Sequence, residues 1–209
     1  MHPAATDELA HMTERSQLQE WISLSDARDL ASNFFGDRVT NPDGDFYTRK
    51  RGINKDIPEE FYPLLLLAEH VPTAKSIRLL PASIPGPDGA ILLADESEVT
   101  VQITNSRERR GGHKVRKSLL DHGTWGSEFR DTNDVIKQRL ERILDAITDK
   151  EANFHAGTHV LLIVENSISW GDVIDPGLPS ALGAALPGFP KSKYSATYVA
   201  YGSDVRLLR

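Results

Sequence analysis

Two periodicities alternate along the chain. Residues 90–94, Ala90-Ile91-Leu92-Leu93-Ala94, form a continuous apolar run, the pattern of a strand covered on both faces. Residues 98–104 alternate strictly, with Val99, Val101 and Ile103 on one face and Glu98, Thr100, Gln102 and Thr104 on the other. Period two predicts a second strand, joined to the first by the turn Asp95-Glu96-Ser97. Residues 76–80 predict a short strand before them, separated by a Pro/Gly loop at 81–89. Further on, Val135, Ile136, Leu140, Ile143, Leu144 and Ile147 recur at helical spacing and predict a helix over 131–152, capped by Asp131 or Thr132. Val160-Leu161-Leu162-Ile163-Val164 predicts another buried strand.

The flanks are less regular. Residues 1–36 read as helical, with Ser25 capping a helix over 26–35 and Gly36 ending it. Residues 37–56 read as an exposed connection containing the turn sequence Asn41-Pro42-Asp43-Gly44-Asp45. Residues 56–71 predict a well-buried second helix, and Pro63 either kinks it or marks its start. Residues 172–190 are Gly/Pro-rich, with a small Ala/Leu patch. Residues 195–201 and 205–208 predict a closing hairpin that turns at Gly202-Ser203-Asp204. The expected division is 1–56 as a helical extension with its loop, and 57–209 as an α/β domain.

The order helix, strand, strand, strand, helix, strand makes a mixed sheet, because a helix between two apolar strands normally crosses over to a parallel neighbour. Over residues 59–165 this order resembles the core of the PD-(D/E)XK nuclease superfamily. The resemblance implies a restriction-endonuclease-like β-β-β-α-β core flanked by helices. In that superfamily a Pro-Asp pair opens the second strand, and the third presents an acid and a lysine two residues apart, on one face. Pro87-Asp88 matches the first element. Alignment places Gln102 at the second acid and Thr104 at the lysine, and both depart from the pattern.

What the resemblance implies is a hydrolase acting on DNA or RNA phosphodiesters with Mg2+. Asp88, Gln102 and Lys137 would be catalytic, and Asp88, Gln102 and Glu69 would ligate the metal. Gln offers a carbonyl oxygen but no charge. Glu98 is an alternative acid on the face of Gln102. The departures motivate a second reading, a catalytically inactive nuclease-fold module that binds a partner, for example in a defence or mobile-element system. A third reading drops the resemblance and leaves a small α/β assembly protein whose N-terminal helices bind another protein.

Charge enters here. The chain carries net charge −6 with pI near 5.6, which argues against a surface coated for nucleic acid. Residues 107–117 run the other way, with six basic side chains against one acid. Arg107, Arg109, Arg110, Lys114, Arg116 and Lys117 are therefore the candidate nucleic-acid contacts, with Trp125 and Phe129 as candidate stacking residues. The same run is equally ordinary for a solvated loop. His155 and His159 are four apart, but Gly157 between them predicts a loop and argues against a shared metal. The chain has no cysteine, so disulfides and thiolate metal sites are excluded. With no long apolar run, the expectation is a cytoplasmic protein without a membrane anchor.

Overall fold

The computed structural model describes residues 15–40, 53–82, 85–106, 132–165, 177–188, 191–201 and 204–209. Among these residues the chain is an α/β protein with seven strands in one mixed open sheet, in chain order from β1 to β7. Two compact units divide it, Met1–Val101 and Gln102–Arg209.

In the first unit a 3-10 turn, Arg15–Gln19, leads into β1 (Ile22–Ser23) and helix α1 (Leu24–Thr40). Ser23 starts α1 by accepting the Asp26 N–H with its hydroxyl at 3.2 Å. Gly36 does not end this helix, which continues to Thr40. A glycine inside a helix costs only about 1 kcal/mol against Ala, so one such residue need not break it. The helix therefore enters what the sequence reads as an open connection. Nothing lies within 4 Å of a Cβ placed on Gly36. Gly36→Ala is expected to stabilise the protein by about 0.5–1 kcal/mol in urea melts, because the unfolded chain loses freedom and no contact is strained.

Helix α2 is built from Ile53–Asp56, a π turn Ile57–Phe61 and Tyr62–Glu69. The N–H of Tyr62 bonds Ile57 O, five residues back. Pro63 then occupies an early position of the α-helical segment, where a missing donor costs little. The π turn changes register ahead of the proline, so the helix carries on through it. Leu64 to Ala68 are all buried, as a helix apolar on all sides requires.

β2 (Ala74–Leu79), β3 (Gly89–Leu93) and the start of β4 (Glu98–Asn105) form an antiparallel meander. β1 adds to its outer edge, pairing Ile22 with Ile77; two residues are too short to show a period in the sequence. α2 packs on β2 and β3, around Phe61, Leu64, Ile77, Leu79 and Ile91. Gly89 is where that packing is closest. A Cβ there would lie 2.6 Å from Leu64 Cδ2 and 3.2 Å from Arg78 O. Gly89→Ala is therefore expected to cost about 1–3 kcal/mol as overpacking, read as a lower urea midpoint at unchanged slope.

In the second unit helix α3 (Thr132–Ala152) leads to β5 (Val160–Glu165), which is buried throughout. Gly157, at φ +90°, makes the intervening turn. Helix α4 (Gly177–Ala185) forms within the Gly/Pro-rich stretch, where the sequence showed only a small Ala/Leu patch. Two of its leucines, Leu178 and Leu182, are four apart and join the core, so burial outweighs weak propensity. β6 (Ala196–Tyr201) runs parallel to β5, and β7 (Asp204–Leu207) antiparallel to β6. Ile143 and Ile147 of α3 pack with Leu161, Ile163, Leu178, Leu182 and Val199.

Candidate functional site

Asp88 sits at the head of β3. Its N–H bonds Val101 O at 2.9 Å, and its carbonyl accepts the Leu80 N–H at 2.8 Å. Pro87-Asp88-Gly89 is therefore held in the ladder, with Gly89 admitting α2 and the half-buried Asp88 just before it. Its carboxylate acts electrostatically on Glu60, and so does that of Asp56; both lie on the α2 segments.

A guanidinium answers two of these carboxylates, and the Lys55 ammonium lies 4.0 Å from Glu60 Oε1. Arg15, from the 3-10 turn, places Nη1 2.9 Å from Asp56 Oδ1 and 2.7 Å from Glu60 Oε2. Its Nη2 donates to Leu80 O at 3.2 Å, at the end of β2. Burial pushes the Glu60 carboxyl up, and the like charges of Asp88 and Asp56 add to this against Arg15. Arg15 is itself held above its ordinary value: burial opposes its charge, and Glu60 and Asp56 together outweigh burial. Glu60 is raised first by its burial, which Arg15 opposes, whereas Arg15 is raised because two carboxylates outweigh its burial. The sequence singled out neither Arg15 nor Glu60. Arg15 lies in no motif, and Glu60 is one of several acids on a helix.

Glu69 is committed elsewhere, paired with Arg28 of α1. Glu98 pairs with Arg78 at 3.1 Å, and that guanidinium also lies 4.4 Å over the Trp21 ring. Lys137 is exposed on α3, and Thr104 is half-buried in β4.

Gln102 is in the second unit, 4% exposed. Its Oε1 accepts the Tyr194 hydroxyl at 2.7 Å. The same hydroxyl lies 3.3 Å from Lys150 O, near the end of α3 where helix carbonyls lack partners. Tyr194 also packs edge-on against Phe154, with centroids 5.0 Å apart. Gln102 is thus part of a buried polar bridge between β4, the β6 approach and the end of α3.

Arg107, Arg109, Arg110, Lys114, Arg116 and Lys117 lie outside the described residues, as do Trp125 and Phe129. Among the described residues there is no group of three or more His, Cys, Asp or Glu placed to hold a metal. No helix among them is long and apolar enough to cross a membrane.

No family model, no curated protein and no solved structure matches this chain.

The donor set expected for Mg2+ does not fit. The Gln102 oxygen already accepts a tyrosine hydroxyl, Glu69 is paired with Arg28, and the carboxylates grouped with Asp88 already face Arg15. A hard cation needs several oxygen ligands turned toward it. Here the named oxygens are turned toward protein donors.

Proposed function

We propose that this chain is a restriction-endonuclease-like protein that binds without cleaving, an inactive module derived from a PD-(D/E)XK nuclease. Support for the ancestry is the order α2, β2, β3, β4, α3, β5, with Asp88 at the head of β3. The observation that carries the loss of chemistry is the hydrogen bond from Tyr194 to Gln102. It turns the position of the second acid into a buried structural contact. The ligand we favour is DNA or RNA, met by the basic segment 107–117.

The test uses the full chain with labelled single- and double-stranded DNA and RNA. No cleavage is expected with Mg2+ or Mn2+, for the parent or for Asp88→Ala. Binding is expected to weaken with salt, and to vanish when Arg109, Arg110, Lys114 and Lys117 are neutralised. Metal-dependent cleavage that Asp88→Ala abolishes would restore the nuclease reading. Salt-insensitive binding, or none, would remove nucleic acid as the ligand.

A further inference from the structure

β5 and β6 are parallel and end together, at Glu165 and Tyr201, which are register partners. In open α/β sheets ligands bind outside the carboxyl ends of such strands. Glu165 closes β5 with its side chain 1% exposed, an unusual place for a carboxylate. Two guanidiniums of α3, three residues apart on one helix face, approach one of its oxygens. Arg139 Nε is 3.8 Å and Arg142 Nη2 3.5 Å from Glu165 Oε1. Both are long for a charge-assisted bond, which normally lies at about 2.7–2.9 Å. Glu165 Oε2 and Arg142 Nε are buried and have no hydrogen-bond partner. Two guanidiniums therefore face one carboxylate, with one buried donor and one buried acceptor unmatched, and the rest of the Arg142 side chain is 29% exposed.

We propose that Arg142, Arg139 and Glu165 form a binding site for a phosphomonoester. The Arg142 fork suits two phosphate oxygens. Glu165 holds the guanidiniums, and its second oxygen needs a hydrogen to accept. A monoester with second pKa of about 6 carries a P–OH in about half its molecules at pH 6 and about a tenth at pH 7. A phosphodiester carries none. Chemistry therefore selects a terminal phosphate over an internal one, and the site rests on the second unit alone, independent of any nuclease ancestry.

The experiment titrates the full chain at pH 6 with phenyl phosphate and with dimethyl phosphate, by calorimetry and by the Nε–H resonances of 15N-labelled arginine. Phenyl phosphate is expected to bind at least about tenfold tighter, moving the Arg142 Nε–H signal. Arg142→Gln should weaken it about tenfold or more, and Arg142→Lys, which keeps charge but loses the fork, nearly as much. The second variant keeps the test decisive if the first fails to fold. A nucleoside monophosphate and a 5′-phosphorylated oligonucleotide then distinguish a small metabolite from a nucleic-acid end. Equal binding of the two model esters, no binding at tens of millimolar, or full affinity in Arg142→Lys would overturn the site.

Discussion

Arg15→Met is expected to lose about 2–4 kcal/mol of stability at pH 7, and to recover most of it as the pH falls toward 4.5. The magnitude follows from what stays behind. Asp56 and Glu60 have side chains only 8% and 17% exposed, and Asp88 adds its charge to theirs. Without the guanidinium, carboxylates held largely away from water face one another, with the half-exposed Lys55 ammonium 4.0 Å from Glu60 as a weaker counter-charge. Partial exposure keeps the cost at or below the range for a fully buried pair broken on one side. Leu80 O also loses its donor, a smaller and pH-independent part of the deficit.

The sign follows from Glu60. Burial already raises its folded value above the ordinary 4.5, and Arg15 is the group that opposes the rise. Removing Arg15 drives it further up. An acid with a raised folded value binds its proton more tightly when folded, so it supports folding below 4.5 and loses that support as pH climbs through the folded value. The difference between parent and variant should thus be small near pH 4.5 and grow to its full size above the raised value. Urea melts at half-unit steps from pH 4 to pH 8 would show this. A difference constant across that range would mean that Arg15 acts by packing rather than by charge.

Legibility in the sequence followed the length and regularity of each pattern. β3, β4, α3 and β5 were readable because each carries enough apolar residues to set a period, and burial then keeps it. β1 escaped because two residues define no period, and α4 because its Gly and Pro content hides a pair of buried leucines. At the candidate site, local chemistry was visible and partners were not. Asp88 stood out through its turn context, whereas Arg15 reaches Glu60 from 45 positions earlier. Gln102 looked like a ligand because the nuclease resemblance aligns it with the second acid, on the strand face of Glu98. Its partner Tyr194 is 92 residues away, and nothing local announces the pair.

That pair yields the second large effect. Gln102→Glu supplies the acid expected of a nuclease at this position, and should destabilise the chain by about 2–4 kcal/mol at pH 8. The site is 4% exposed, so a carboxylate there loses most of its hydration. The Tyr194 hydroxyl can still donate to it, but that hydroxyl is also drawn to Lys150 O, and an oxygen that can only accept replaces the donating amide NH2. Burial would raise the new carboxyl, so the loss should fade below its unfolded value and deepen as pH rises. Mg2+ separates the two meanings of the substitution. A ligand that binds only the folded state stabilises by about 1.4 kcal/mol or more once its concentration is tenfold above Kd. If Gln102 stands where a metal site has merely lost one charge, 10 mM Mg2+ should restore the variant's urea midpoint, and cleavage should appear with it. If the position has become part of the bridge between β4 and the end of α3, Mg2+ should leave the midpoint unmoved and the substrate intact. We expect the second result, because this side chain is 4% exposed and already accepts the Tyr194 hydroxyl at 2.7 Å as part of that bridge.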